Sequence, residues 1–405
     1  MNISERQNDV LKLISRLDIS PTMYRNAIEK YEHIATYLQE HGIDAVMYPQ
    51  GSFALGTVVR PYSKDADRSY DLDFICQVTG SRSSHTPSEL RNQIYDVLSA
   101  GELYGGKLIV EDECFTIKYA EIDGIGFSID IVPAADEDWY IKQELTSISS
   151  HPELINTAIA IPRHSQQKVY NWITNNPKGY RKWFNGINEP FRLHSKDAYR
   201  RSLFEAYRHI FNTIEDIPVD LERSSLQRVI QILKHHRNVY YSHIKDGDTL
   251  MPISAIISTT VAQIASTADP AYSVYELLEY VLNEFEIYSN HQTLSSSIFK
   301  STYGERAVIE KANGEWTISN PANPKDNLAD KWNKNPEIPR RFFLWIAAAK
   351  DDLVNSLHLS DEEFKAISEA AFGHKNVENT WGSKYNAIPP KPLSTAAPAK
   401  PWRIR

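Results

Sequence analysis

Apolar residues recur at helical spacing from the start of the chain. Val10, Leu11, Ile14 and Leu17 predict a helix over Glu5–Leu17. Ser20-Pro21 supplies an N-cap and a proline at the first helical position. Ile28, Tyr31, Ile34, Ala35 and Leu38 carry that second helix to Gly42, a C-cap residue. The period then shortens. Ile43–Tyr48 and Tyr70–Val78 read as strands, separated by a polar loop rich in Ser, Lys and Asp. Thr86, Pro87 and Glu89 combine an N-cap, an N1 proline and a capping box, so a helix is expected to Ala100. Two more strands, Cys114–Ala120 and Phe127–Val132, flank the turn-like Asp123-Gly124. This order predicts an α/β or α+β domain over residues 1–150.

Beyond residue 150 helical patterns dominate: Lys196–Ile214, Arg223–Tyr241, Ser254–Ser266, Ser273–Ile287, Pro339–Val354 and Asp361–Ala371. In the second of these, Leu226, Val229, Ile230, Leu233 and Tyr240 mark one apolar face. The prediction is a mostly helical lobe over 151–388. Five prolines among small residues in Pro389–Arg405 predict a disordered tail.

A chain of 405 residues is too long for one core and suits two packed domains. The start lacks a basic segment followed by an apolar one, and no apolar run reaches the ~18 residues of a membrane span, so a cytoplasmic protein is expected. Cys76 and Cys114 alone form neither a disulfide framework nor a zinc site. A formal net charge of −8 argues against constitutive nucleic-acid binding and suits a small anionic substrate.

The chemistry concentrates in Gln50–Gln77. Asp71 and Asp73 stand two apart in a strand, so both point to one face. Adjacent carboxylates repel unless a cation lies between them. Asp130 likewise interrupts the apolar strand Phe127–Val132, where an isolated carboxylate is costly to bury. Oxygen-only ligands suit a hard ion, Mg²⁺ or Mn²⁺, that also binds phosphate. Asp65 and Asp67 share the spacing but lie among Lys64, Arg68 and Ser69, and are assigned to a solvated loop. Gly51-Ser52 precedes the carboxylates, where a glycine lets backbone approach a phosphate. No Walker-type phosphate loop, Gly-x-Ser-x-Gly elbow or paired-histidine motif is present.

Gln50-Gly51-Ser52, Asp71-Leu72-Asp73 and then Asp130 resemble the DNA polymerase β-like nucleotidyltransferase superfamily. Gly56-Thr57, Leu226–Arg237 with Pro252-Ile253-Ser254, and Ile318–Trp332 narrow the resemblance to the bacterial cyclic-oligonucleotide synthases of anti-phage signalling. These are relatives of the animal cyclic GMP–AMP synthase and oligoadenylate synthases. The resemblance implies an α+β nucleotidyltransferase core beside a mostly helical lobe, with the active site between them. It implies that Asp71 and Asp73 bind two Mg²⁺ ions and that Asp130 helps bind one and activates the attacking ribose hydroxyl. It implies that Gln50, Gly51 and Ser52 contact the triphosphate from one side, and Lys234 and Ser254 from the other. Trp332 is expected to pack a loop against the core. Substrates would be ribonucleoside triphosphates, and a separate effector protein would bind the cyclic product. A partner could engage the tail. The His/Cys cluster of the animal DNA sensor is missing, which sets DNA activation aside. Two rivals remain open: a nucleotidyltransferase acting on a linear oligonucleotide, a small substrate or a protein, and a catalytically dead nucleotide-binding scaffold.

Overall fold

A computed structural model describes residues 2–18, 21–60, 62, 70–122, 125–164, 169–206 and 223–386. The sequence expectations for Ser20, for the Asp65/Asp67 loop, for Asp123-Gly124 and for the tail lie outside these residues.

The chain opens with α1 (Ile3–Ser15) and α2 (Pro21–Glu40), followed by β1 (Ala45–Pro49), the single turn α3 (Gly51–Ala54) and β2 (Tyr70–Ser81). Next come α4 (Pro87–Ala100), β3 (Leu108–Val110), β4 (Phe115–Ile122), β5 (Ile125–Asp136), α5 (Trp139–Ile148), β6 (Ile159–His164) and β7 (Tyr170–Asn175). The caps named at Gly42 and Thr86 are formed. Gly42 takes φ +85°, and Ile43 N–H closes back onto the Leu38 carbonyl at 2.9 Å. Both hydrogen bonds of the Thr86–Glu89 capping box are formed.

All seven strands join one mixed sheet. Its path is β1-β2-β5-β4-β3, with β6 and β7 continuing from the far end of β5. β2 and β5 run parallel and every other pairing is antiparallel. Leu72, Phe74 and Cys76 of β2, with Ile129 and Ile131 of β5, pack one face onto α2 and α4 residues such as Ile34, Leu38, Leu90 and Ile94. On the opposite face Asp71, Asp73 and Asp130 look into a cleft, whereas Ile75, Val132 and Ala134 pack with Ile159 and Ile161 of β6.

Two sequence expectations need correction here. The sheet does not end at residue 150, because β6 and β7 carry it to Asn175. Pro162 interrupts the apolar run of β6, and β7 pairs on one side only, so it alternates too weakly to stand out. The N-terminal helices do not stay together either. α2 packs on the sheet, whereas Val10, Leu13 and Ile14 of α1 join the core of the helical lobe.

That lobe holds α6 (Pro177–Ala206), α7 (Ser225–Ser242), α8 (Gly247–Leu250), α9 (Ser254–Ala265), α10 (Val274–Ser289) and α11 (Ser296–Tyr303). Two small hairpins follow, β8 (Glu310–Ala312) with β9 (Glu315–Thr317), and β10 (Ser319–Asn320) with β11 (Asn323–Asn327). Helices α12 (Asp330–Lys334), α13 (Glu337–Leu353), α14 (Asp361–Phe372) and α15 (His374–Trp381) complete it. α6 starts well before the expected Lys196 and runs through Pro190. Burial of Trp183, Phe184 and Phe191 outweighs that proline's cost. α7 lies at the centre and touches α6, α9, α10, α13 and α14. Trp332 packs against Trp316, Phe342 and Phe343, as expected. α15 closes back on α1. Trp381 Nε1 donates to the Asp9 carbonyl at 3.1 Å, and Tyr385 Oη donates to the Asp9 carboxylate at 2.7 Å.

Candidate active site

Strand parity brings the three carboxylates to one face. Asp71 and Asp73 alternate with the core residues Leu72 and Phe74, and the parallel register sets Asp73 directly beside Asp130. The hydroxyls on that face take up two of the three. Ser128 Oγ donates to Asp71 Oδ1 and Thr116 Oγ1 to Asp130 Oδ1, each at 2.6 Å. Among the described residues no hydroxyl donates to Asp73. Its carboxyl is pushed up to about 7, first by burial, then by Asp130 and Asp71, with Lys234 pulling the other way. Asp130 is raised too, chiefly by burial, with the Thr116 hydrogen bond opposing.

The turn into α3 is built against Asp73. Gln50 N–H donates to the Asp73 carbonyl at 2.8 Å. Gly51 takes φ +60°, and a Cβ placed there would lie 2.6 Å from Asp73 Oδ2. Only glycine fits both the left-handed backbone and that close approach. Ser52, next along, opens onto the same cleft.

Across the cleft, α7 supplies a cation. Lys234 is 3% exposed and donates to Thr57 Oγ1 at 3.0 Å. Burial, with help from Arg237, brings its ammonium down to about 7, and Asp73 opposes that shift. Lys234 is therefore no solvated helix lysine. Ser254 sits at the first turn of α9, where Arg237 Nη1 donates to its Oγ at 3.2 Å.

The residues that bind the two lobes at this point were missing from the sequence reading. Gln227 Nε2 donates to the Leu55 carbonyl at 2.8 Å, and Gln231 Nε2 to the Val58 carbonyl at 2.7 Å. With Lys234 on Thr57, one stripe of α7 grips the segment that follows the Gly-Ser turn. The available signal was a row of polar residues, Gln227, Gln231 and Lys234, at i, i+4 and i+7 beside the apolar face of the same helix.

The cleft has two chambers that share Gly51, Ser52, Asp73, Lys234 and Ser254. The smaller, about 500 Å³, contains all three carboxylates together with Arg237 and Asn238. The larger, about 1060 Å³, is walled by Ile173, Leu328 and Ile253 and by the β10–β11 hairpin. Every predicted site residue thus faces one connected cleft.

Among the described residues no three acidic, histidine or cysteine side chains form a ready-made metal cage. Asp71 and Asp130 lean on hydroxyls instead. The donor set nevertheless fits a hard divalent cation. It is oxygen-only, and burial together with the neighbouring Asp130 and Asp71 raises the Asp73 carboxyl, a charge conflict that such an ion relieves.

Residues 5–188 match the Second Messenger Oligonucleotide or Dinucleotide Synthetase domain. A c-di-GMP synthase of Roseivirga ehrenbergii is 24% identical over 367 residues, covering 89% of this chain and 80% of the relative. A cyclic dinucleotide synthase, CdnG, of Bradyrhizobium diazoefficiens is 23% identical over 57% of this chain and 52% of its own. In structure, B. diazoefficiens CdnG in complex with GTP superposes with a TM-score of 0.64 at 18% identity, covering 93% of this chain and 98% of CdnG. CdnC of Escherichia coli gives 0.52 at 14% identity, over 89% and 97%. No described helix is long and apolar enough to cross a membrane. The fold shared with these structures, an acidic sheet face turned toward a helical lobe, the domain match over residues 5–188 and these relatives together support the resemblance to the bacterial cyclic-oligonucleotide synthases.

Proposed function

We propose that this protein joins ribonucleoside triphosphates into a cyclic dinucleotide, releasing pyrophosphate, and depends on divalent metal to do so. The observation that carries the reading is one cleft with three carboxylates on its sheet side, a buried lysine opposite, and an adjoining chamber of about 1060 Å³. Pockets for a small ligand span roughly 300–1,000 Å³, so that chamber is at the large end and has room for a nucleoside beside the carboxylates.

Asp71, Asp73 and Asp130 would hold two Mg²⁺ ions, with Mn²⁺ as a substitute. Bound there, the metal supplies charge neutralisation at the α-phosphate and on the leaving pyrophosphate. The protein's own part is positioning and proton handling. Gln50, Gly51 and Ser52 hold the donor triphosphate from the sheet side, and Lys234 and Ser254 from the helical side. Asp130, with its carboxyl raised by burial, accepts the proton of the attacking ribose hydroxyl. A second transfer in the same cleft closes the ring.

The relatives' names support a cyclic product over a linear one. We place the enzyme in the cytoplasm, as the source of a second messenger for an effector protein in anti-phage defence, with the C-terminal tail open to a partner. The test is mass spectrometry of products from the four ribonucleoside triphosphates with Mg²⁺. A cyclic dinucleotide that vanishes with chelator is expected. Linear product only, or undiminished synthesis in chelator, would overturn the reading.

A further inference from the structure

The larger chamber must hold the bases, and its acidic side chains differ in one respect. Glu113 is paired with Arg163 at 3.0 Å and Asp330 with Lys334 at 3.1 Å. Asp73 belongs to the carboxylate face. Asp326, on β11, is half-buried and accepts from a neutral group, Asn320 Nδ2, at 2.9 Å on Oδ2. Among the described residues no cation pairs with it. It therefore has acceptor capacity left over.

Its backbone is held firmly. Asn320 Oδ1 accepts the Ala322 N–H at 3.0 Å, and Asn323 Nδ2 donates to the Thr174 carbonyl of β7 at 3.0 Å. Asn327 Oδ1 accepts from Ile318 N–H and Ala329 N–H, both at 3.0 Å, and its Nδ2 donates to the Trp316 carbonyl at 2.9 Å. A fixed carboxylate beside the apolar walls Ile173 and Leu328 has the makings of a base reader.

We propose that Asp326 reads the base of a bound nucleotide and selects guanine. This rests on the nucleotidyltransferase reading of the cleft. The guanine edge presents two adjacent donors, N1–H and the 2-amino group, which two carboxylate oxygens accept side by side. Adenine offers an unprotonated N1 and no donor at C2, so acceptor faces acceptor. Such a mismatch leaves a buried acceptor unpaired, which is how hydrogen-bonding sites reject near-isosteric ligands.

The test uses equilibrium binding of GTP, ATP and xanthosine triphosphate with Mg²⁺, beside a melting curve. The full-length protein is compared with Asp326→Asn. Xanthine keeps N1–H but carries a carbonyl at C2, which matches a carboxamide in place of a carboxylate. Wild type should bind GTP about 10- to 100-fold tighter than ATP. Asp326→Asn should melt as wild type does, lose that preference and gain affinity for xanthosine triphosphate. No GTP preference in wild type, or an undiminished one in Asp326→Asn, would overturn the assignment. So would lost GTP binding with no gain for xanthosine triphosphate. Product analysis on the same samples reports on the synthase reading separately: wild type that discriminates bases yet makes no oligonucleotide would sink that reading and leave the base assignment standing.

Discussion

At the scale of single residues, the site is a set of charges that burial has pushed out of their ordinary ranges. On the proposed reading, in which Asp73 is a shared metal ligand, Asp73→Asn should fold normally yet lose turnover by at least about a thousandfold. Pyrophosphate release by the purified variant measures this, with Asp67→Asn as the active control. Lys234 makes a prediction in pH. Its ammonium falls from an ordinary 10.5 to about 7 in the folded protein, so between those values the unfolded chain holds the extra proton. Stability from this group therefore increases as pH rises through that window. Triphosphate binding works the other way, because it needs the proton. KM for nucleotide should be flat below about pH 7 and climb above it, whereas Lys234→Ala should show a higher KM that no longer follows pH through this range. The three aspartates were legible in the sequence because each breaks an apolar strand. Their hydroxyl partners were not, because Thr116 and Ser128 meet them only through the β4–β5 and β2–β5 registers.

Among the elements, the legible ones were those with strong local signals. α2, α4, α7 and α10 follow from period and caps, and β2 and β5 from their apolar runs. β6 pairs with β5 at only two positions and carries Pro162, and β7 pairs with its neighbour β6 alone, so the weak alternation of an edge strand hid them. The Gly51 turn joins a local backbone demand to a distant side chain. Gly51→Ala forces a Cβ into a left-handed position and against Asp73 Oδ2. It should cost about 1–3 kcal/mol in a melting experiment. The loss of activity should be far larger than that modest destabilisation, because the displaced group is Asp73 itself. An active Gly51→Ala variant would mean that the turn does not set the carboxylate's position.

For the whole molecule, the chain's two ends test differently. Removing residues 389–405 should leave synthesis intact, since none of the residues assigned to chemistry lies there. Removing residues 1–16 should not be tolerated. It strips Val10, Leu13 and Ile14 from the helical lobe and leaves Trp381 Nε1 and Tyr385 Oη without the Asp9 acceptors they use. The expected result is a lowered melting temperature and lost turnover, whereas a truncated protein that melts as wild type does would contradict that packing. The placement of α1 has a mechanical consequence as well. Since α1 belongs to one lobe and α2 to the other, the chain passes between lobes there, and among the described residues it passes again at Asn176. At the second passage the Asn176 side chain is riveted to the Leu154 and Ala322 carbonyls. A body tethered by one cord can swivel in any direction, but one tethered at two separate points turns only about the line through them. Two chain passages, with α7 gripping the segment after the Gly51 turn, thus leave the lobes fewer ways to turn against each other than a single tether would.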